Sequence, residues 1–117
     1  MQLIRTSTIA DEQREGYIIK RLFTESVKKY SPDTIGFYQT TIPAGSRCPY
    51  HYHQNLLEIL FFHTPAKMLI NNKEFDIHPK DYIILEAGET HEIIAVDKQD
   101  VVLTAVKIPN IITDRNS

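Results

Sequence analysis

The sequence is short of several things, and each shortage removes a class of protein. It has one cysteine, Cys48, so no intrachain disulfide framework is available. No stretch approaches the roughly 18 consecutive apolar residues that a membrane-spanning helix needs. Residues 1–16 are mostly polar and lack the apolar run of a signal peptide. Lys and Arg are scattered, and the net charge of −2 leaves no basic footprint for a nucleic acid. There is no internal repeat and no low-complexity segment. These absences predict a cytoplasmic, soluble protein without nucleic-acid or membrane partners.

What is present is ordinary for a globular protein: 42% hydrophobic and 24% charged residues in 117. That length supplies about one domain, enough for one core and a small pocket. From Gly16 onward, short apolar runs alternate with turn residues, the spacing of an all-β barrel or sandwich with little helix. The expected strands are 16–23, 36–42, 49–53, 58–62, 67–70, 73–77, 82–85, 92–96 and 101–108. Asn71-Asn72 fits a two-residue hairpin turn, and Pro, Gly and Asn mark the other turns. Segments 11–15 and 24–30 are the only candidates for helical turns. The barrel core is expected over 16–108 of a single domain, with 1–15 and 110–117 as peripheral arms that are mobile or reach a partner subunit.

The chemistry concentrates between Gly45 and His91. His51 and His53 are two apart, so on a strand both imidazoles leave the same face. Glu58 opens the next apolar run, with Leu60 and Phe62 on its face, and His91 follows a glycine-containing turn. Imidazole and carboxylate together suit a divalent first-row metal such as zinc, iron, manganese or nickel. Four such ligands around an octahedral ion leave two positions for water or a bidentate substrate, as a catalytic site requires.

The run from Gly45 through His51-Tyr52-His53 to Glu58 resembles the first cupin motif at full spacing. Residues 80–91 resemble the second in length, in Gly88 and in the terminal His91. Together these cover about residues 36–108. The resemblance implies a jelly-roll barrel, a double-stranded β-helix, in which His51, His53, Glu58 and His91 bind one divalent metal. Four positions depart from the pattern: Pro65, Lys80, Glu86 and Ala95 stand where the motifs carry glycine, glycine, proline and asparagine. The resemblance also implies a small-molecule substrate and a homodimer. Dioxygenase, isomerase, decarboxylase and lyase chemistry are all open, as is a non-catalytic module that binds a sugar or organic acid.

Other residues have plainer expectations. His63 faces away from the ligands, and His78 lies in a turn. Strand alternation points Cys48 away from the histidines. Arg47 shares parity with His51 and is a candidate for pairing a substrate carboxylate or phosphate, although the turn at Gly45 favours its solvation. Phe62 is a candidate for substrate contact, while Phe37, Leu60, Met68, Ile70, Phe75 and Ile93 line or close the barrel. Tyr50, Tyr52 and Tyr82 belong to an outer face. Glu86 and Glu89 flank Gly88 at the barrel rim and are expected to be solvated, with the turn as an alternative source of a hydrogen-bond partner for His91.

Overall fold

The computed structural model describes residues 1–96 and 98–117. Its strands are β1 (Gln2–Arg5), β2 (Glu12–Arg14), β3 (Tyr17–Ile19), β4 (Gly36–Ile42), β5 (Arg47–His51), β6 (Leu57–Phe62), β7 (Ala66–Ile70), β8 (Lys73–Ile77), β9 (Asp81–Leu85), β10 (His91–Ile94) and β11 (Val101–Ile108). Among the described residues, helix is limited to two three-residue 3-10 turns, Thr6–Thr8 and Lys28–Tyr30, and no helix is long and apolar enough to cross a membrane. A five-stranded sheet runs in the order β1-β9-β6-β11-β4 and a four-stranded one β5-β10-β7-β8, with all neighbours antiparallel.

The sheets face each other because their inward residues are apolar at period two. On β6, Glu58, Leu60 and Phe62 are buried while Ile59 and Phe61 are partly exposed. On β7, Ala66, Met68 and Ile70 alternate in the same way. These side chains meet Ile83, Leu85 and Leu103 in the main core. A smaller cluster lies on the back of the five-stranded sheet, where Tyr30, Phe23 and Val27 cover Leu57 and Ile84.

Turn chemistry explains the connections. Asn71 and Asn72 take φ of 49° and 66°, as a tight hairpin turn between Ile70 and Lys73 requires. Gly88 sits at φ 84°, and Lys80 at φ 71°. Lys80 occupies a place where the cupin motif has glycine, and its backbone conformation is the left-handed one that glycine adopts without steric cost. The Asp81 carboxylate accepts the His78 N–H at 2.7 Å and pairs with Arg5, which ties this turn to β1.

Several expectations change. Segment 11–15 is not a helical turn, because Glu12–Arg14 pairs with Tyr17–Ile19 about Gly16 at φ 86°. The strand expected over 16–23 therefore ends at Ile19, and the following chain covers the outer sheet face instead. Only Lys28–Tyr30 of segment 24–30 is helical. Residues 1–15 are not simply peripheral, since β1 is an edge strand of the five-stranded sheet. Phe37 is 73% exposed on the outer side of edge strand β4, not in the core.

Replacing Lys80 with Gly removes the steric cost of its left-handed backbone and adds some chain entropy to the unfolded state. The expected net gain is about 0.5–1 kcal/mol, read as a higher denaturant midpoint at unchanged slope. A loss of stability would show that the Lys80 side chain contributes more than its backbone strain costs.

Candidate metal centre

The site lies where the two sheets close on each other. His51 ends β5 and His91 begins β10, and the two stand directly opposite in the antiparallel ladder. His53 follows two residues after His51, with its backbone carbonyl accepting the Gly88 N–H at 2.7 Å. Glu58 comes from β6 in the other sheet. All four are buried, at 6%, 5%, 5% and 1% exposure for His51, His53, Glu58 and His91. One ring nitrogen from each histidine lies within 4.8 Å of the others. Glu58 Oε1 is 3.4 Å from His53 Nε2 and 3.3 Å from His91 Nε2.

The protonation pattern follows from the partners. His51 Nδ1 lies 2.7 Å from the Pro49 carbonyl oxygen, His53 Nδ1 2.5 Å from that of Asp114, and His91 Nδ1 3.1 Å from that of Glu89. A carbonyl oxygen only accepts, so each Nδ1 donates its N–H. In the neutral imidazole the Nε2 lone pair is then left free. His53 Nε2 and Glu58 Oε1 have no hydrogen-bond partner at all. The three rings converge, and the Glu58 carboxylate faces His53 and His91 in a buried place. Unpaired buried acceptors are costly, and a divalent cation among the four residues would satisfy them. The donor set therefore fits a metal of the imidazole- and carboxylate-binding class.

The charges agree with that arrangement. Burial would raise the Glu58 carboxyl, but the facing His53 and His91 imidazoles hold it well below the usual carboxylate range. Burial pushes His51 down to about 4, against the Pro49 carbonyl bond that favours its proton. For His53, burial lowers the pKa, yet contact with Glu58 outweighs it and leaves the ring above its ordinary value.

A β-bulge decides what surrounds the four residues. On β10, His91 and Ile93 are two apart, but their partners on β5, His51 and Cys48, are three apart. The extra residue falls at Pro49 or Tyr50, where proline has no N–H to give to the ladder. Parity inverts across the bulge. Cys48 thus joins the histidine side, with Sγ 4.0 Å from His51 Nδ1, contrary to the expectation from alternation. Burial raises its thiol above the ordinary value, so it is protonated at neutral pH. Arg47 is turned outward instead and pairs with Glu92 at 2.9 Å, so it does not reach the site. Phe62 is fully buried in the core and lies too deep to line the cavity. His63 is exposed, stacked on Phe61 and bonded to Thr104, and His78 is exposed in its turn.

The cavity at the four residues measures about 200 Å³ and is also lined by Tyr38, Cys48, Lys107 and Arg115. Two larger surface clefts, of about 480 and 530 Å³, include none of the four. The tail contributes a residue that no sequence motif marks. Asp114 is buried at 7% exposure, and its carboxylate accepts the N–H groups of Gln54 and Asn55 at 3.1 and 2.8 Å. Its carbonyl is the partner of His53. Asp114 and Arg115 of the tail therefore border the site, whereas Ile112 is 85% exposed. Lys107 was detectable, because it continues the inward alternation of Leu103 and Ala105; nothing local marks Asp114.

Asp114→Ala removes the anchor that holds its own carbonyl against His53. Metal affinity is expected to fall about 10- to 100-fold, measured by competition with a chromophoric chelator. Wild-type affinity in this variant would mean that the tail does not orient the ring.

No protein-family model matches the chain. A stretch of 65 residues is 34% identical to L-ectoine synthase from Rhodococcus erythropolis, covering 52% of this chain and 49% of that protein. The matched part thus spans about half the length of that curated relative. Among solved structures, a predicted oxalate decarboxylase from Thermotoga maritima aligns with a TM-score of 0.62 at 23% identity, over 92% of this chain and 98% of that one. A cupin protein from Bacteroides fragilis aligns at 0.61 and 15% identity, over 68% and 69% of the two chains. With two facing antiparallel sheets and this agreement across nearly its whole length, the chain is a cupin in fold, a double-stranded β-helix barrel.

Proposed function

We propose that His51, His53, Glu58 and His91 hold one divalent transition metal, and that the protein is a metal-dependent enzyme acting on a small oxygen-bearing molecule. The observation that carries this is the buried cluster of three histidines with ring nitrogens within 4.8 Å of one another, each ring locked by a carbonyl at Nδ1, with Glu58 Oε1 facing His53 and His91. A bound ion would supply Lewis-acid polarisation of a substrate oxygen. The chain's own residues do the rest. The Pro49, Asp114 and Glu89 carbonyls fix the tautomers, and the Leu60 and Ile93 side chains keep water from the inner wall. With four protein ligands, such an ion would keep room for oxygens of one substrate molecule. The names of the similar proteins, a synthase and a predicted oxalate decarboxylase, support chemistry of this general kind. Dioxygenase, isomerase, decarboxylase and lyase reactions all fit such a site.

One observation favours the second reading, a binding module without turnover. Apart from the four converging residues, the titratable groups in the cavity are Tyr38, Cys48, Lys107 and Arg115. Among the described residues no histidine or carboxylate beyond the four converging residues lines the cavity to serve as a general acid or base, and burial raises the Cys48 thiol above its ordinary value. A binder gains thermal stability from its ligand with no product formed. Ligand screening by thermal shift, with and without chelator and followed by product analysis, separates the readings.

Elemental analysis of protein purified without a metal-affinity column is expected to find about one divalent ion per chain. His91→Ala is expected to lose it while the barrel stays folded by circular dichroism. A full complement of metal in His91→Ala would sink the assignment.

Metal retention also has a defined pH dependence. Coordination needs neutral imidazole, and protons compete at His53, whose pKa lies above the ordinary value, before they compete at His51, which burial holds down to about 4. Affinity is expected to fall as pH drops through about 6.5, with the loss beginning above that value because His53 is raised. Equilibrium dialysis across this range measures it, and retention unchanged down to about pH 4 would contradict a three-histidine site.

A further inference from the structure

Two cations stand in the cavity without a carboxylate partner. Lys107 lies on β11 directly opposite Glu58 of β6 in the ladder, on the inward face that its strand otherwise fills with Leu103 and Ala105. Side chains at opposed positions of an antiparallel pair leave the sheet about 5 Å apart. Lys107 nevertheless makes no ion pair with Glu58, whose Oε1 faces the histidines. Its ammonium rests over the Tyr38 ring, 5.0 Å from the centroid, and the Tyr38 hydroxyl donates to Asn110 Oδ1 at 2.5 Å. The second cation is Arg115, exposed at the mouth. Its backbone is pinned on both sides: Asp114 is anchored to Gln54 and Asn55, and Asn116 exchanges two hydrogen bonds with Tyr52 at 2.9 and 3.0 Å. Among the described residues neither Lys107 nor Arg115 forms an ion pair.

Among the described residues Glu58 is the only acid lining this cavity. Once its charge is engaged by a cation, the cavity carries an uncompensated positive field from both sides. A long lysine on a barrel wall otherwise set with Leu and Ala costs desolvation, which an anionic guest offsets. The space is small. About 200 Å³ corresponds to roughly six or seven water volumes of ~30 Å³ each, which suits a few-carbon acid better than a sugar phosphate. The guanidinium fork also matches the two oxygens of a carboxylate.

We infer that Lys107 and Arg115 form a carboxylate-binding clamp, so that the site selects a small carboxylic acid bearing a neighbouring oxygen, with the carboxylate held by the clamp or shared with the metal centre. The inference deepens the metal-site reading by naming the substrate class, but the clamp is made of different residues and is tested apart from it. Lys107 is a specificity residue of the barrel wall. Arg115 is brought to the mouth by the same tail segment that orients His53, so anion binding and ring orientation share one anchor.

The test is calorimetric titration of the full-length protein with lactate, with its neutral isostere lactamide and with inorganic phosphate, in metal-free and metal-loaded forms. Lactate is expected to bind saturably, and lactamide at least ten-fold more weakly. Lys107→Met and Arg115→Gln are each expected to lower lactate affinity about 10- to 100-fold while keeping the wild-type metal content, and Lys107→Arg to restore much of the loss. Equal binding of lactamide, or unchanged lactate affinity in both Lys107→Met and Arg115→Gln, overturns the clamp. Phosphate binding more tightly than lactate with the same dependence on the two residues overturns the carboxylate assignment. If the protein takes up no metal yet binds lactate through Lys107 and Arg115, the clamp stands and the metal reading falls.

Discussion

A buried carboxylate facing two imidazoles, with a third histidine beside them, is the constraint on which this structure turns. Glu58 projects from the five-stranded sheet, and the histidines come from the end of the four-stranded sheet and the chain just past it. Neither sheet alone assembles the site. In water each acceptor would find a donor; in the barrel mouth His53 Nε2 and Glu58 Oε1 find none. Such a cluster is unfavourable unless a cation or a proton enters it. The raised pKa of His53 and the depressed one of Glu58 are two expressions of that deficit.

Backbone carbonyls enforce the arrangement, and they come from irregular places. Pro49 lies in the bulge of β5, Glu89 in the turn before β10, and Asp114 in the tail. Regular ladder positions have their carbonyls committed to neighbouring strands, so bulges and turns are where acceptors are free to hold a ring. The same bulge that frees the Pro49 carbonyl turns Cys48 inward and Arg47 outward. One inserted residue thus sets both the orientation of a proposed ligand and the composition of the cavity wall.

The motif departures divide by their physical consequence. Lys80 adopts the left-handed backbone that glycine would take more easily, and the turn survives because Asp81 accepts the His78 N–H and pairs with Arg5. Gly88 remains, and its N–H holds the His53 carbonyl. Changes in turn residues are tolerated where side-chain bonds from elsewhere support the turn, and the residues that converge on the site are untouched by them.

Much of this was legible in the sequence because its determinants are local. Strand alternation has a period of two, so Glu58, Leu60 and Phe62 announce a shared inward face, and His51 and His53 announce another. Turn residues such as Asn71 and Asn72 declare the hairpin through their own φ preferences. Parity carries across a strand only until a bulge, which explains why Arg47, Cys48 and Phe62 were assigned to the wrong surroundings: the first two lie beyond the bulge, and depth in the barrel is not written in alternation. The tail was illegible for a different reason. Asp114 reaches His53 across 61 residues of sequence, and no local pattern encodes a contact made only when two sheets close. The sequence by itself determined which side chains converge, through spacing and period. The tertiary structure decided how their lone pairs point, what else lines the cavity and which cations wait at its mouth, because those depend on non-local carbonyls and on where a single bulge falls.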